Sequence, residues 1–130
     1  MKKIIASLFL LFLANSFYGQ NKGITYQAVI YSPDAIVLPG QDNMLAPLTS
    51  QEVCMRFSFL DEGLTSEYEE TITVITDGFG MVNLTLGQAA QSGGYASGFE
   101  EMTWDGTSKN LMVELDVSGN CFEFVEISNT

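Results

Sequence analysis

Val53-Cys54-Met55-Arg56-Phe57-Ser58-Phe59-Leu60 is the stretch from which the fold can be read. Val53, Met55, Phe57 and Phe59 fall on one side of an extended chain, and Cys54, Arg56 and Ser58 fall on the other. A period of two belongs to a strand with one face in a core; a helix would scatter these apolar residues around its circumference. Asp61-Glu62-Gly63 follows with the residue types of a turn.

Working outward, the same alternation recurs. Ile24, Tyr26, Ala28 and Ile30 alternate with Thr25, Gln27 and Val29 and predict a first strand. Residues 67–76 predict a third, with Tyr68, Ile72 and Val74 on one face, although Glu70 interrupts that face and needs either a strand end or a partner. Asp77-Gly78 supplies hairpin residues that tolerate positive φ. Val82, Leu84 and Leu86 form the inner face of a fourth strand, and Leu111, Val113, Leu115 and Val117 that of a fifth. Residues 121–127 predict a sixth, in which Phe122 and Phe124 share a face but Val125 and Ile127 lie on the other, so a β-bulge near Phe124-Val125 is expected. About six to seven short antiparallel strands indicate an all-β sandwich, immunoglobulin-like or prealbumin-like, with the Tyr26, Phe57, Val74, Leu84 and Val113 faces as its core.

The chain of 130 residues has room for one domain after its leader. Lys2 and Lys3 precede an apolar run, residues 4–14, broken only by Ser7: the pattern of a secretory signal, and too short for a bilayer core of about 30 Å. Ala14-Asn15-Ser16 and the Gly19-Gln20 junction are both cleavage candidates; the reading adopted is a signal over 1–19 and a single sandwich over 20–130. Two of the five basic residues would leave with that leader, taking the formal charge from −11 to −13.

Composition excludes several functions. There is no histidine, which removes the Ser-His-Asp and Cys-His nucleophile systems and His-ligated zinc. With 16 acidic residues against 5 basic ones, the chain repels phosphate backbones, so nucleic-acid binding is not expected.

Two connections of about 20 residues interrupt the strand pattern and are functional candidates by length. Residues 32–51 hold Pro33, Pro39 and Pro47; residues 88–107 hold Gly93, Gly94, Gly98 and the single tryptophan. Tyr95, Phe99 and Trp104 in the second connection are candidates for stacking on a sugar or anchoring a protein, against Trp104 folding back to plug the open end of the sandwich. Asp77 and Asp105 lie in Gly-rich turns suited to structural calcium, although no EF-hand spacing is present and solvated charge is the plainer reading. No other cofactor is expected. Glu70 or Glu101 beside a second acid would be the minimum for a carboxylate hydrolase, which needs a cleft that a domain this small hardly offers. Asn83-Leu84-Thr85 matches a glycosylation sequon. Secretion permits a disulfide between Cys54 and Cys121; two unpaired thiols on separate strands are the equal alternative.

Four segments in order carry a resemblance: Ile24-Thr25-Tyr26-Gln27-Ala28-Val29-Ile30, residues 53–60, Thr76-Asp77-Gly78-Phe79-Gly80-Met81-Val82-Asn83-Leu84, and Thr103-Trp104 followed by Leu111-Met112-Val113-Glu114-Leu115-Asp116. This order resembles the N-terminal β-sandwich domain of secreted and cell-surface proteins of Bacteroidetes-type bacteria, many of which continue into adhesin-like, tail-fibre-like or sorting-signal regions. The resemblance implies a non-catalytic module whose partners are another protein or further domains of a larger surface protein, with a glycan as the competing ligand. It also implies a shorter connection after the first strand and a further apolar strand after Thr130, without which an edge is open to pairing.

Overall fold

The computed structural model describes residues 22–32 and 46–130. The segment read as a signal, Pro33 and Pro39 lie outside these residues. Seven strands follow in order: β1 (Ile24–Val29), β2 (Glu52–Leu60), β3 (Ser66–Ile75), β4 (Met81–Leu86), β5 (Gln91–Gly93), β6 (Asn110–Asp116) and β7 (Val125–Asn129). They form two antiparallel sheets, one of five strands in the order β5-β3-β2-β6-β7 and one of two, β1-β4, as in a β-sandwich. One 3-10 turn, Phe99–Glu101, is present, and no helix among the described residues is long and apolar enough to cross a membrane.

β2 is the central strand because its alternation can be satisfied on both sides. Phe57 stands opposite Glu70 of β3 and Val113 of β6, and Met55 opposite Ile72 and Leu115. Val53, Met55, Phe57 and Phe59 are buried with Ile30, Tyr68, Val82, Leu86, Met102, Val113 and Leu115. Tyr26, Val74 and Leu84, expected in this core, pack against it partly buried. The Tyr26 ring meets Phe57 edge to face at 4.9 Å, which ties the small sheet to the large one.

The other face of β2 departs from expectation: Cys54 and Ser58 are fully buried. Ser58 Oγ donates to Glu69 at 3.2 Å, and the segment from Val117 to Phe124 folds over Cys54 and Arg56. Cys121 is bonded to Cys54, with Cα atoms 5.3 Å apart, and the Arg56 guanidinium lies 4.2 Å from the centroid of the Phe124 ring. Arg56 also donates to both carboxylate oxygens of Glu114 at 2.6 and 2.7 Å. Because these residues wrap rather than pair, the last strand begins at Val125, not at Cys121, and the bulge expected at Phe124-Val125 is displaced along it. The irregularity lies further along the same strand: Val113 and Glu114 of β6 stand opposite Ser128 and Glu126, which leaves Ile127 of β7 as the extra residue.

Asp116 makes this wrap. It ends β6, is buried, and its carboxylate accepts from Ser118 N at 2.8 Å, Ser118 Oγ at 2.6 Å, Phe122 N at 2.9 Å and Glu123 N at 3.3 Å. The Ser118 hydroxyl foremost, then the Phe122 amide, outweigh burial and lower its carboxyl from 3.8 to about 2. A carboxyl depressed on folding contributes stability above its unfolded value and loses it as pH falls through the folded one, here between about pH 4 and 2. Asp116→Asn is therefore expected to flatten the acid limb of the stability curve in that window relative to the parent protein. Chemical denaturation at stepped pH checks this, and superimposable curves would refute it.

Glu67 and Glu70 of β3 keep their carboxylates out of solvent. The partner that Glu70 needed is twofold: Tyr68 Oη donates to it at 3.0 Å, and Gly87 N donates to its two oxygens at 2.9 and 3.0 Å. Burial foremost, with this carboxylate accepting its proton, pushes the Tyr68 phenol well above its ordinary value.

Candidate functional site

The turn after β2 and the long connection after β5 meet at a polar cleft of about 280 Å³, lined by Asp61, Glu67, Tyr95, Thr103, Thr107 and Lys109 among others. Asp61 closes the β2–β3 turn, accepting from Gly63 N and Thr65 N at 2.9 Å, and its second oxygen accepts from Tyr95 Oη at 3.2 Å. The Thr65 amide in particular holds the Asp61 carboxyl below its ordinary value. Glu67 accepts from Thr103 N at 2.6 Å and from Lys109 Nζ. Burial works to raise the Glu67 carboxyl, but Lys109 and Thr103 together prevail and keep it low.

The three aromatic candidates separate here. Phe99 packs against the core, partly buried: its ring meets Phe59 edge to face at 5.6 Å and Tyr68 at 5.4 Å, and its carbons lie where a Cβ on Gly87 would stand. Trp104 is 54 % exposed, resting on Phe59 and Phe99 at 6.4 and 5.8 Å, with Lys109 Nζ 5.9 Å from its centroid. It thus covers the end of the aromatic cluster while leaving half its surface in solvent. Tyr95 is 61 % exposed, and its hydroxyl is committed to Asp61.

The two calcium candidates serve their own turns. Asp77 Oδ1 accepts from Phe79 N at 2.8 Å and Met81 N at 2.9 Å; Asp105 Oδ1 accepts from Thr107 N at 3.0 Å and Thr107 Oγ1 at 2.7 Å. Among the described residues no group of three or more His, Cys, Asp or Glu is placed to hold a metal ion. Glu101 is exposed in the 3-10 turn, and Glu70 is sealed beneath Gly87, so neither lines the cleft. The sequence held one unused signal for the cleft. Only Lys22, Arg56 and Lys109 supply side-chain cations among the described residues, and each is paired, with Glu100, Glu114 and Glu67 respectively.

A second concavity was not anticipated. Two adjoining cavities of about 260 and 370 Å³ share Tyr31, Leu115 and Ile127, and are also lined by Val29, Ile30, Val117, Val125 and Glu123. They lie where the end of β1 faces β6 and β7. The lining is almost wholly aliphatic and aromatic, yet Tyr31 is 48 %, Ile127 45 % and Val125 66 % exposed. The cause is the inequality of the layers: two strands face five, and the small sheet stops short of β7. No protein-family model, curated protein or solved structure matches the chain.

Proposed function

We propose that this chain is a secreted, non-enzymatic β-sandwich that acts as an interaction module at the bacterial cell surface and engages another polypeptide through the groove between β1 and β7. The observation that carries this reading is the contrast between the two concavities. Polar groups of the cleft are already paired with one another, Glu67 with Lys109 and Asp61 with Tyr95. The groove instead presents apolar side chains to water, and contiguous exposed apolar surface of this kind marks contact sites. The leader-like N-terminal segment and the order of the four resembling segments support the location.

The competing reading is a carbohydrate-binding module that uses Tyr95 and Trp104. Site-specific photo-cross-linking separates the two. A photoreactive residue at Tyr31, in the protein made by its own cells, is expected to capture a polypeptide of defined mass, while one at Trp104 captures none and a glycan array stays silent. Glycan binding that Trp104→Ala abolishes without unfolding the protein, together with no capture at Tyr31, would overturn the proposal in favour of the sugar reading.

A further inference from the structure

Two features of the groove define what enters it. The first is an unpaired backbone edge. Ile30 N donates to Gly80 O and Ile30 O accepts from Leu48 N, so the even-numbered residues of β1 turn their backbone groups toward β4 and its extension. By alternation, the amide and carbonyl groups of Thr25, Gln27, Val29 and Tyr31 point to the opposite edge. Among the described residues no strand pairs with that edge. The second is an uncovered inner face. Leu115 stands opposite Val125 across β6 and β7, which puts Val125 on the core side of the large sheet, yet it is exposed because nothing in the small sheet reaches over it. One added strand beside β1 answers both, since it would take up the free backbone groups and lay alternate side chains over Leu115, Val125 and Ile127.

We propose that β1 accepts, along its free edge, an extended segment of a different polypeptide, about six residues long, apolar at alternate positions and flanked by Lys or Arg. This rests on the interaction-module reading and names the chemistry of its partner. The length follows from β1, which spans six residues. The basic flanks follow from charge: Glu123 lines the groove, and the chain carries −11 overall. The same charge disfavours a second copy of this chain, which would bring like charges to the groove.

The probe is the synthetic peptide Lys-Val-Thr-Val-Thr-Val-Thr-Lys at millimolar concentration, added to the intact protein, with amide hydrogen exchange read residue by residue. The amides of Thr25, Gln27 and Val29 are expected to slow by about tenfold or more, the protection given by a new ladder. The peptide N-methylated at alternate residues keeps the side chains but loses the ladder, and should give no protection. Val125→Lys, at an exposed position that leaves the fold intact, should weaken binding by about tenfold. Equal binding by the N-methylated peptide, protection confined to another edge, or a concentration-dependent dimer in sedimentation would each overturn the proposal. If the β1 amides are unaffected while Tyr31 cross-links a polypeptide, strand addition fails and the interaction module stands. Absence of both removes both.

Discussion

Replacing Cys54 and Cys121 together by serine is expected to lower the unfolding free energy by about 4 kcal/mol, the chain-entropy value for a bridge whose ends lie 67 residues apart. That is a large part of the roughly 5 to 15 kcal/mol typical of a whole domain, so the variant should keep only about 1 to 11 kcal/mol of it. The loss has a local component too. Cys54 is fully buried on the central strand, and the wrap that Cys121 anchors stacks Phe124 on Arg56. In Cys54→Ser a hydroxyl takes the place of sulfur in an enclosed site, so Cys54→Ala with Cys121→Ser separates lost cross-link from buried polarity. Denaturant titration of oxidised protein, reduced protein and both double variants gives the measurement. A reduced protein within about 1 kcal/mol of the oxidised one would show that Asp116 alone holds the wrap.

Lys109→Met is expected to destabilise the fold by about 3 to 5 kcal/mol, the range for removing one partner of a buried ion pair. Glu67 is only 1 % exposed, and the Lys109 side chain 10 %, so the abandoned carboxylate would have little water to turn to. The pH dependence should shift with it. In the parent protein the Glu67 carboxyl is held below its ordinary 4.5, so it contributes stability above that value and loses it as pH falls further. Without the ammonium group, burial is opposed only by the hydrogen bonds from Thr103, so the carboxyl should lie higher than in the parent and the variant's deficit should narrow as pH falls toward 4.5. Glu67→Gln combined with Lys109→Met should recover part of the loss, because no charge is then left buried. A loss under about 1 kcal/mol, with parallel pH profiles, would place the pair among solvent-screened surface bridges instead.

These two sites also mark where sequence reading reached and where it stopped. The alternation from Val53 to Leu60 predicted the central strand because a period of two survives whatever lies on either face. The inner faces of β4 and β6 were legible for the same reason. β5 was not, since three residues, Gln91–Gly93, are too few to show a period. The start of β7 was misplaced because Phe122 and Phe124 imitate a strand face, whereas Asp116 binds the backbone amides of Phe122 and Glu123, and amides leave no mark in a sequence. Glu67 reads as outward charge, and Glu70 as an acid on the inner face with no visible partner, because the groups that hold them, Lys109 and Gly87, lie 42 and 17 residues further along. Among the candidate aromatics, Tyr95 lines the polar cleft and Trp104 stays half exposed, but Phe99 could not be told from them without knowing that it packs over Gly87. The groove was hidden for a different reason. Val125 and Ile127 are the same residues whether covered or bare, and only the count of strands in the opposing layer decides.

The bridge between Cys54 and Cys121 has a mechanical consequence for any protein that holds a load. A pull between residue 22 and residue 130 peels β7 and then meets a covalent link to the central strand, which carries the tension straight from Cys121 to Cys54. The residues between them, which include β3 to β6, drop out of the force path. They store roughly 230 Å of chain that cannot be drawn out while the bridge is intact. Stretching the oxidised module can lengthen only its two ends, whereas a reducing environment would turn the same fold into an extensible tether.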